Sequence, residues 1–250
     1  MSYLGYRGTD AETAFGRFFN PEMAALPTHV VRALEYGPQA EPVLPDFEEP
    51  LAGDGYQQTE NGYGSVANGG YTVAVRTDMP GVTPPMWDWW FGWHGCDSRR
   101  YKLWHPRAHV SAVWRDGRDD LAYVGRTSLV QEYLGSAFTS VAIQFVDSEP
   151  QGHAGLAITA RLGSPDIPVD IGWLVHQVRP TSDGAEMRSR FWMGGQHVSL
   201  RSGKSLADRA LKMVAERQLP EPRDLLVHCA QEMNHLAGFL PELYVQCGPT

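Results

Sequence analysis

One late segment, PEPRDLLVHCAQEMNHLAGFL, places His228, Glu232 and His235 at positions i, i+4 and i+7. In a helix advancing about 100° per residue the three project from one narrow face, so an imidazole and a carboxylate one turn apart reach the same point. Zinc binds histidine nitrogen and carboxylate oxygen at about 2.0–2.2 Å, and a single helical turn supplies two such ligands without strain. The same spacing also describes a solvated polar face carrying an i, i+4 pair. The helix alone leaves both readings open.

A second cluster lies in YKLWHPRAHV, where His105 and His109 flank a proline and an arginine among aromatic and apolar neighbours. A histidine on such a dry wall is paired, neutral or metal-bound, and one of the two could instead hydrogen-bond a turn. Glu132, in LVQEYLG, is a carboxylate inside an apolar strand-like run. Burial there is costly without a cation, whereas the period of two would equally turn it to solvent. His176, in GWLVHQV, reads either as a satisfied core histidine or as a proton-transfer group. The chain has no GxSxG, no GxxxxGK[ST], no HExxH and no GxGxxG between a strand and a helix. Serine hydrolase, nucleotide hydrolase and ordinary dehydrogenase chemistry therefore lose their usual support.

These residues need a framework to converge. At 250 residues with 42% hydrophobic content the chain can bury one large core, with room for an N-terminal elaboration. Residues 1–55, broken by PEMAALP and EYGPQAEPVLPDFEEP, read as an irregular N-terminal extension, and residues 56–250 as the main domain. Gly-rich NGYGSVANGGY leads into YTVAVRTDM, whose alternating Tyr71, Val73 and Val75 predict a first strand. TPPMWDWWFGWHG predicts a helix started by prolines and buried all round. AHVSAVWRD, DDLAYVGRTSLVQEYLG, FTSVAIQFVD, GLAITARLG, DIGWLVHQVRP and AEMRSRFWMG follow as strands between turn residues. They favour an antiparallel sheet over βαβ units. SLADRALKMVAERQ and the His228 segment close the chain as amphipathic helices. The expected class is α+β, a sheet packed round a late helix.

A net charge of −8 without a Lys/Arg cluster argues against a nucleic-acid surface. No run approaches the about 20 apolar residues of a membrane span, and MSYLGYRGTDAETAFGRFF lacks the apolar core of a signal peptide. Cys96, Cys229 and Cys247 are too scattered for a disulfide framework or a CxxC knuckle, which fits a reducing cytoplasm.

The ordered trio MWDWWFGWH, YKLWHPRAHV and HCAQEMNH resembles the 2,4-diacetylphloroglucinol hydrolases and phloretin hydrolases, from about residue 60 to the C-terminus. The resemblance implies a helix-grip, Bet v 1-like domain, a homodimer, and a zinc site of two histidines and two glutamates. His228 and Glu232 match the helical pair, His109 the histidine closing the WHPxxH motif, and Glu132 the remaining glutamate across a shorter loop. It further implies catalytic roles for His176, Tyr101 and Glu132, with Tyr101, Trp104 and Phe191 against the substrate. Trp89, Trp90, Trp93 and Trp104 would enclose the pocket or pack the core. Two positions depart from the family: Ala112 stands where relatives carry an asparagine that touches substrate, and Phe191 where they carry a second pocket tyrosine. Both changes remove hydrogen bonds to ring hydroxyls.

The implied reaction is hydrolysis of the carbon–carbon bond between an acyl group and a phenolic ring, through a ring tautomer that resembles a β-diketone. The implied ligand is a small aromatic ketone. Zinc would lower the pKa of water to about 7 and so supply hydroxide. Two rivals remain at the level of sequence: a non-catalytic helix-grip binder of an apolar molecule, and an iron-dependent decarboxylase or oxygenase.

Overall fold

In the computed structural model, which describes residues 5–47, 55–66, 69–147, 156–201, 208–217 and 219–249, the alternating segments pair into one curved antiparallel sheet. Its strands are β1 (Gly62–Val66), β2 (Gly70–Pro80), β3 (His109–Trp114), β4 (Thr127–Leu134), β5 (Ala137–Val146), β6 (Leu156–Gly163), β7 (Val169–Pro180), β8 (Gly184–Met193) and β9 (Ser199–Leu200). They lie in the order β1-β2-β8-β7-β6-β5-β4-β3, with β9 added to β7. The helices are α1 (Thr28–Tyr36), α2 (Pro84–His94), α3 (Ser98–Trp104), α4 (Asp208–Glu216), α5 (Pro222–Ala237) and α6 (Leu240–Cys247). α5 packs on β2 and β1 and also meets β4 and α3, which is the helix-grip, α+β arrangement.

α5 forms where it does for local reasons. Pro222 occupies its first turn, Asp224 complements the helix dipole there, and Leu225, Leu226, Cys229, Ala230, Met233 and Leu236 recur on the buried side. It ends at Gly238, and Pro241 opens the separate helix α6, which the sequence does not foretell. α2 begins at Pro84 and is buried from Trp87 to His94 with a single exposed position, Asp88, because core elements surround it. Asp97 caps α3 by accepting from the Arg99 amide at 2.9 Å.

Three segments differ from expectation. The Gly-rich lead-in to the predicted first strand itself holds a strand, β1: a Cβ at Gly64 would lie only 2.0 Å from the Glu41 carbonyl oxygen, so glycine here permits close backbone contact. Only the second half of DDLAYVGRTSLVQEYLG is a strand. Its first half loops around the Arg126 guanidinium, which donates to Asp116, Asp120 and the carbonyls of Arg118 and Ala122. Within residues 1–55, α1 supplies a regular helix, and Phe15, Phe18 and Val30 join the main core.

β2, β7 and β8 are buried on both faces because residues 39–47 and 55–61 lie over the outer side of the sheet. Glu60 ties that layer down by accepting from Arg188 at 2.6 Å and, at still closer range, from Arg190. Burial lowers the Arg190 pKa to about 10, with the Glu60 charge opposing that fall. Glu60→Ala would remove the carboxylate that these two buried guanidiniums share. We expect it to cost about 3 kcal/mol in urea unfolding; a loss below about 1 kcal/mol would show that the layer holds by apolar contact alone.

Candidate metal and active site

His109 opens β3 and is the direct cross-strand partner of Glu132 on β4, with a register irregularity just after it. α5 brings His228 and Glu232 to the same point from across the fold. The Nε2 atoms of His109 and His228 lie 3.2 Å apart. Glu132 Oε2 is 3.6 Å from each of these nitrogens, and Glu232 Oε2 is 3.3 Å from His109 and 3.7 Å from His228. A tetrahedral ion with bonds of about 2.0–2.2 Å has edges of about 3.3–3.6 Å; His109, Glu132 and His228 offer ligand atoms within 4.8 Å of one another, and Glu232 stands beside that trio, close to its two nitrogens.

The protonation pattern points the same way. His109 Nδ1 donates to the Tyr101 carbonyl at 2.9 Å, which leaves its Nε2 a bare acceptor. The His228 ring donates to the Tyr133 carbonyl; since Nε2 faces the cluster, that bond belongs to Nδ1. Two imidazole lone pairs thus face each other at 3.2 Å in a buried place, an arrangement that favours a cation between them. Burial lowers the His228 pKa to about 4, and burial with the neighbouring histidines holds His109 well below the ordinary range. Burial raises Glu132 to about 7 against the pull of the Tyr101 hydroxyl, and burial plus the Glu132 charge drives Glu232 well above the carboxylate range. A divalent cation suits all four at once, keeping both imidazoles unprotonated and returning both carboxyls to the ionised form. The donor set therefore fits a divalent metal.

Other sequence-predicted residues surround the cluster. The Tyr101 hydroxyl donates a very short hydrogen bond to Glu132, and its ring stacks on His109 at 3.7 Å. His105 stands outside the four: its ring stacks on His228 at 4.7 Å and its Nε2 lies 3.3 Å from Gln231 Oε1. His235, one turn beyond Glu232, is buried beside Phe239 and does not reach the cluster. Above the cluster opens a largely apolar cavity, walled by Trp104, Val130, Phe145, Leu174 and Phe191 and reaching Tyr101, Glu132, His228 and Glu232. His176 lies on its wall, with Nδ1 2.8 Å from the Ser189 hydroxyl directly across the β7–β8 pair.

Trp89 and Trp93 stack on each other, Trp89 meets Tyr244 and Trp93 meets Phe15, so they pack core rather than cavity. Trp90 sits behind the wall, against His94 and Trp104. Ala112 is buried near Ser98 and is not part of the cavity lining. The sequence reading assigned no role to Phe91, His94 or Cys229, all of which line the cavity. His94 closes the aromatic motif MWDWWFGWH, the only signal that singled it out.

The model of the family described as the DAPG hydrolase PhiG domain matches residues 44–245. The chain belongs to that family. Among curated DAPG hydrolase relatives, the 2,4-diacetylphloroglucinol hydrolase of Pseudomonas protegens is 29% identical, over 94% of this chain and 84% of its own length. The phloretin hydrolase of Eubacterium ramulus is 26% identical, over 97% of this chain and 93% of its own. In this DAPG hydrolase family member, as the three motifs suggested, the resemblance extends over most of the chain.

The site also sets an acid limit on folding. Burial is the leading cause that lowers His94, His228 and His235 to about 4, His176 to about 3 and His105 to about 2, and His109 falls likewise. Unfolded histidines take up protons from pH about 6.5 downward while these six resist, so stability is full above 6.5 and falls as pH drops toward 4. Raised Glu132 and Glu232 act with the opposite sign, Glu132 losing its contribution as pH rises through about 7 and Glu232 likewise on the alkaline side of the carboxylate range, but they are two against six. The midpoint of chemical unfolding should fall between pH 7 and pH 5. A flat profile would contradict the burial of these rings.

Proposed function

We propose that the chain hydrolyses the carbon–carbon bond joining an acyl group to a phenolic, phloroglucinol-type ring, using a divalent metal, zinc, held by His109, Glu132, His228 and Glu232. The observation that carries this reading is the pair of imidazole lone pairs 3.2 Å apart, flanked by two carboxylates beneath an apolar cavity. The names of the relatives, 2,4-diacetylphloroglucinol hydrolase and phloretin hydrolase, support the substrate class.

When bound, the metal supplies Lewis acidity, polarising a carbonyl and bringing the pKa of water down to about 7. The chain's own residues do the rest. Tyr101, fixed by its bond to Glu132 and its stack on His109, has its proton engaged there and offers its oxygen as acceptor to a phenolic hydroxyl. Water is divided across the bond: its hydroxyl goes to the acyl carbon and a proton to the ring carbon, giving a carboxylic acid and the deacylated phenol. His176, on the cavity wall, handles that proton. Trp104 and Phe191 keep bulk water from the cavity and strengthen the polar contacts within it. A non-catalytic binder would have no use for two facing imidazole lone pairs and two carboxylates whose convergence away from bulk water is unfavourable without a cation.

Among the described residues no helix is long and apolar enough to cross a membrane. Cytoplasmic residence and a homodimer belong to this proposal through the resemblance. Exposed Val113 and Phe138 are apolar surface that a second copy would cover, and sedimentation would then give twice the 27.8 kDa chain mass.

The reading is tested by elemental analysis of the purified protein, expected to give about one zinc per chain, and by incubation with an acylphloroglucinol. Release of the free carboxylic acid with the deacylated phenol is the expected result. No turnover across a panel of acyl phenols and β-diketones would overturn it.

A further inference from the structure

His94 ends α2 on the wall of the same cavity as Tyr101, Glu232 and His176, and neither the metal cluster nor the proton transfer above makes use of it. We propose that His94 contacts the substrate directly, its Nε2 accepting a hydrogen bond from a phenolic hydroxyl of the bound ring. The proposal rests on the phenolic-substrate reading above.

The tautomer is fixed by the partner of the other nitrogen. Nδ1 lies 2.7 Å from the Trp90 carbonyl oxygen, one turn back on the same helix. A carbonyl only accepts, so Nδ1 carries the proton and Nε2 is a bare lone pair. His176 differs here, because its Nδ1 faces a serine hydroxyl that can both donate and accept. The cavity thus holds one imidazole of fixed acceptor character and one whose polarity the hydroxyl can reverse.

Orientation is equally constrained. The His94 ring lies nearly parallel to Trp90 at 5.3 Å and Tyr101 at 5.8 Å, with the edge of Trp104 at 5.4 Å. Since Nδ1 is turned back to its own helix, the opposite end of the ring carries Nε2 to the cavity, and no group among the described residues is bonded to it. An acceptor on a mostly apolar wall is unfavourable until a donor reaches it. A phenolic hydroxyl is such a donor. Accepting its hydrogen bond also pushes electron density into the ring, which helps the ring carbon to take the proton that releases the acyl group.

The test uses the whole metal-loaded protein and 1,3,5-trihydroxybenzene as probe. In wild type labelled with 15N-histidine, saturating probe should shift the His94 Nε2 resonance in the direction of hydrogen-bond acceptance. By calorimetry, His94→Phe, which keeps the aromatic stack, should bind the probe about five- to tenfold more weakly at unchanged metal content. His94→Gln, which restores an acceptor, should recover most of the loss. An Nε2 resonance unmoved at saturation, or wild-type affinity in His94→Phe, would overturn the assignment while leaving the hydrolase reading intact. Should His94→Phe fail to fold, the wild-type resonance decides alone. Absence of both probe binding and acyl-phenol turnover would instead overturn the phenolic reading, and His94's role with it.

Discussion

His228→Ala combined with Glu232→Ala is expected to weaken metal binding by far more than the about 10–100-fold that loss of an outer partner costs, and to remove hydrolysis with it. Two of the four converging groups come from this one helical turn, and His109 with Glu132 cannot enclose an ion by themselves. Stability separates a metal site from a structural polar network. If the cluster were only a hydrogen-bonded network, the alanines would destabilise the metal-free protein by several kcal/mol, on the order of a broken buried network. If it is a metal site, the metal-free variant should melt near metal-free wild type, because the confrontation of lone pairs disappears along with the contacts. Only the metal-dependent increment in melting temperature should vanish. Elemental analysis and melting with and without chelator give both readouts, and full occupancy in the double variant would remove the proposed site.

The second large effect concerns His176. Replacing it with alanine should lower kcat by about 10²–10⁴, the usual worth of a positioned proton-transfer group, while metal content and KM change little. Burial holds this ring to a pKa of about 3, so it enters the reaction neutral, with one proton shared between Nδ1 and Nε2 according to the Ser189 contact. Ser189→Ala should therefore give a smaller fall in kcat, since the ring remains but its tautomer is no longer biased. Activity in His176→Ala within tenfold of wild type would exclude the role.

The two halves of the cluster were unequally legible. His228 and Glu232 share one helical segment, so their convergence follows from helix geometry and can be read directly. His109 and Glu132 meet through strand register across a loop gathered around Arg126, which no local periodicity encodes. The structure sets His105 and His109 apart because α3 stops at Trp104, leaving His105 against the flank of His228 while His109 starts the strand. His94 and Phe91 escaped notice for a different reason. In a helix buried on nearly every side, sequence cannot tell which residues face a cavity and which face core, and the same ambiguity covered Trp89 and Trp93. The antiparallel order and the late helix were readable from alternation and amphipathicity. Strand β1 was not, because its glycines resemble a turn until the Glu41 backbone that they admit is in view.

His109 and His228 are 119 residues apart in the chain, yet their ring nitrogens all but touch. The hairpin half and the helical half can each form from neighbouring segments, but the proposed ligand set exists only once α5 has docked on the sheet. Metal should therefore arrive late in folding and act as a clasp. It should leave the refolding rate nearly unchanged and slow unfolding, so that a chelator shortens the native lifetime more than it delays its formation.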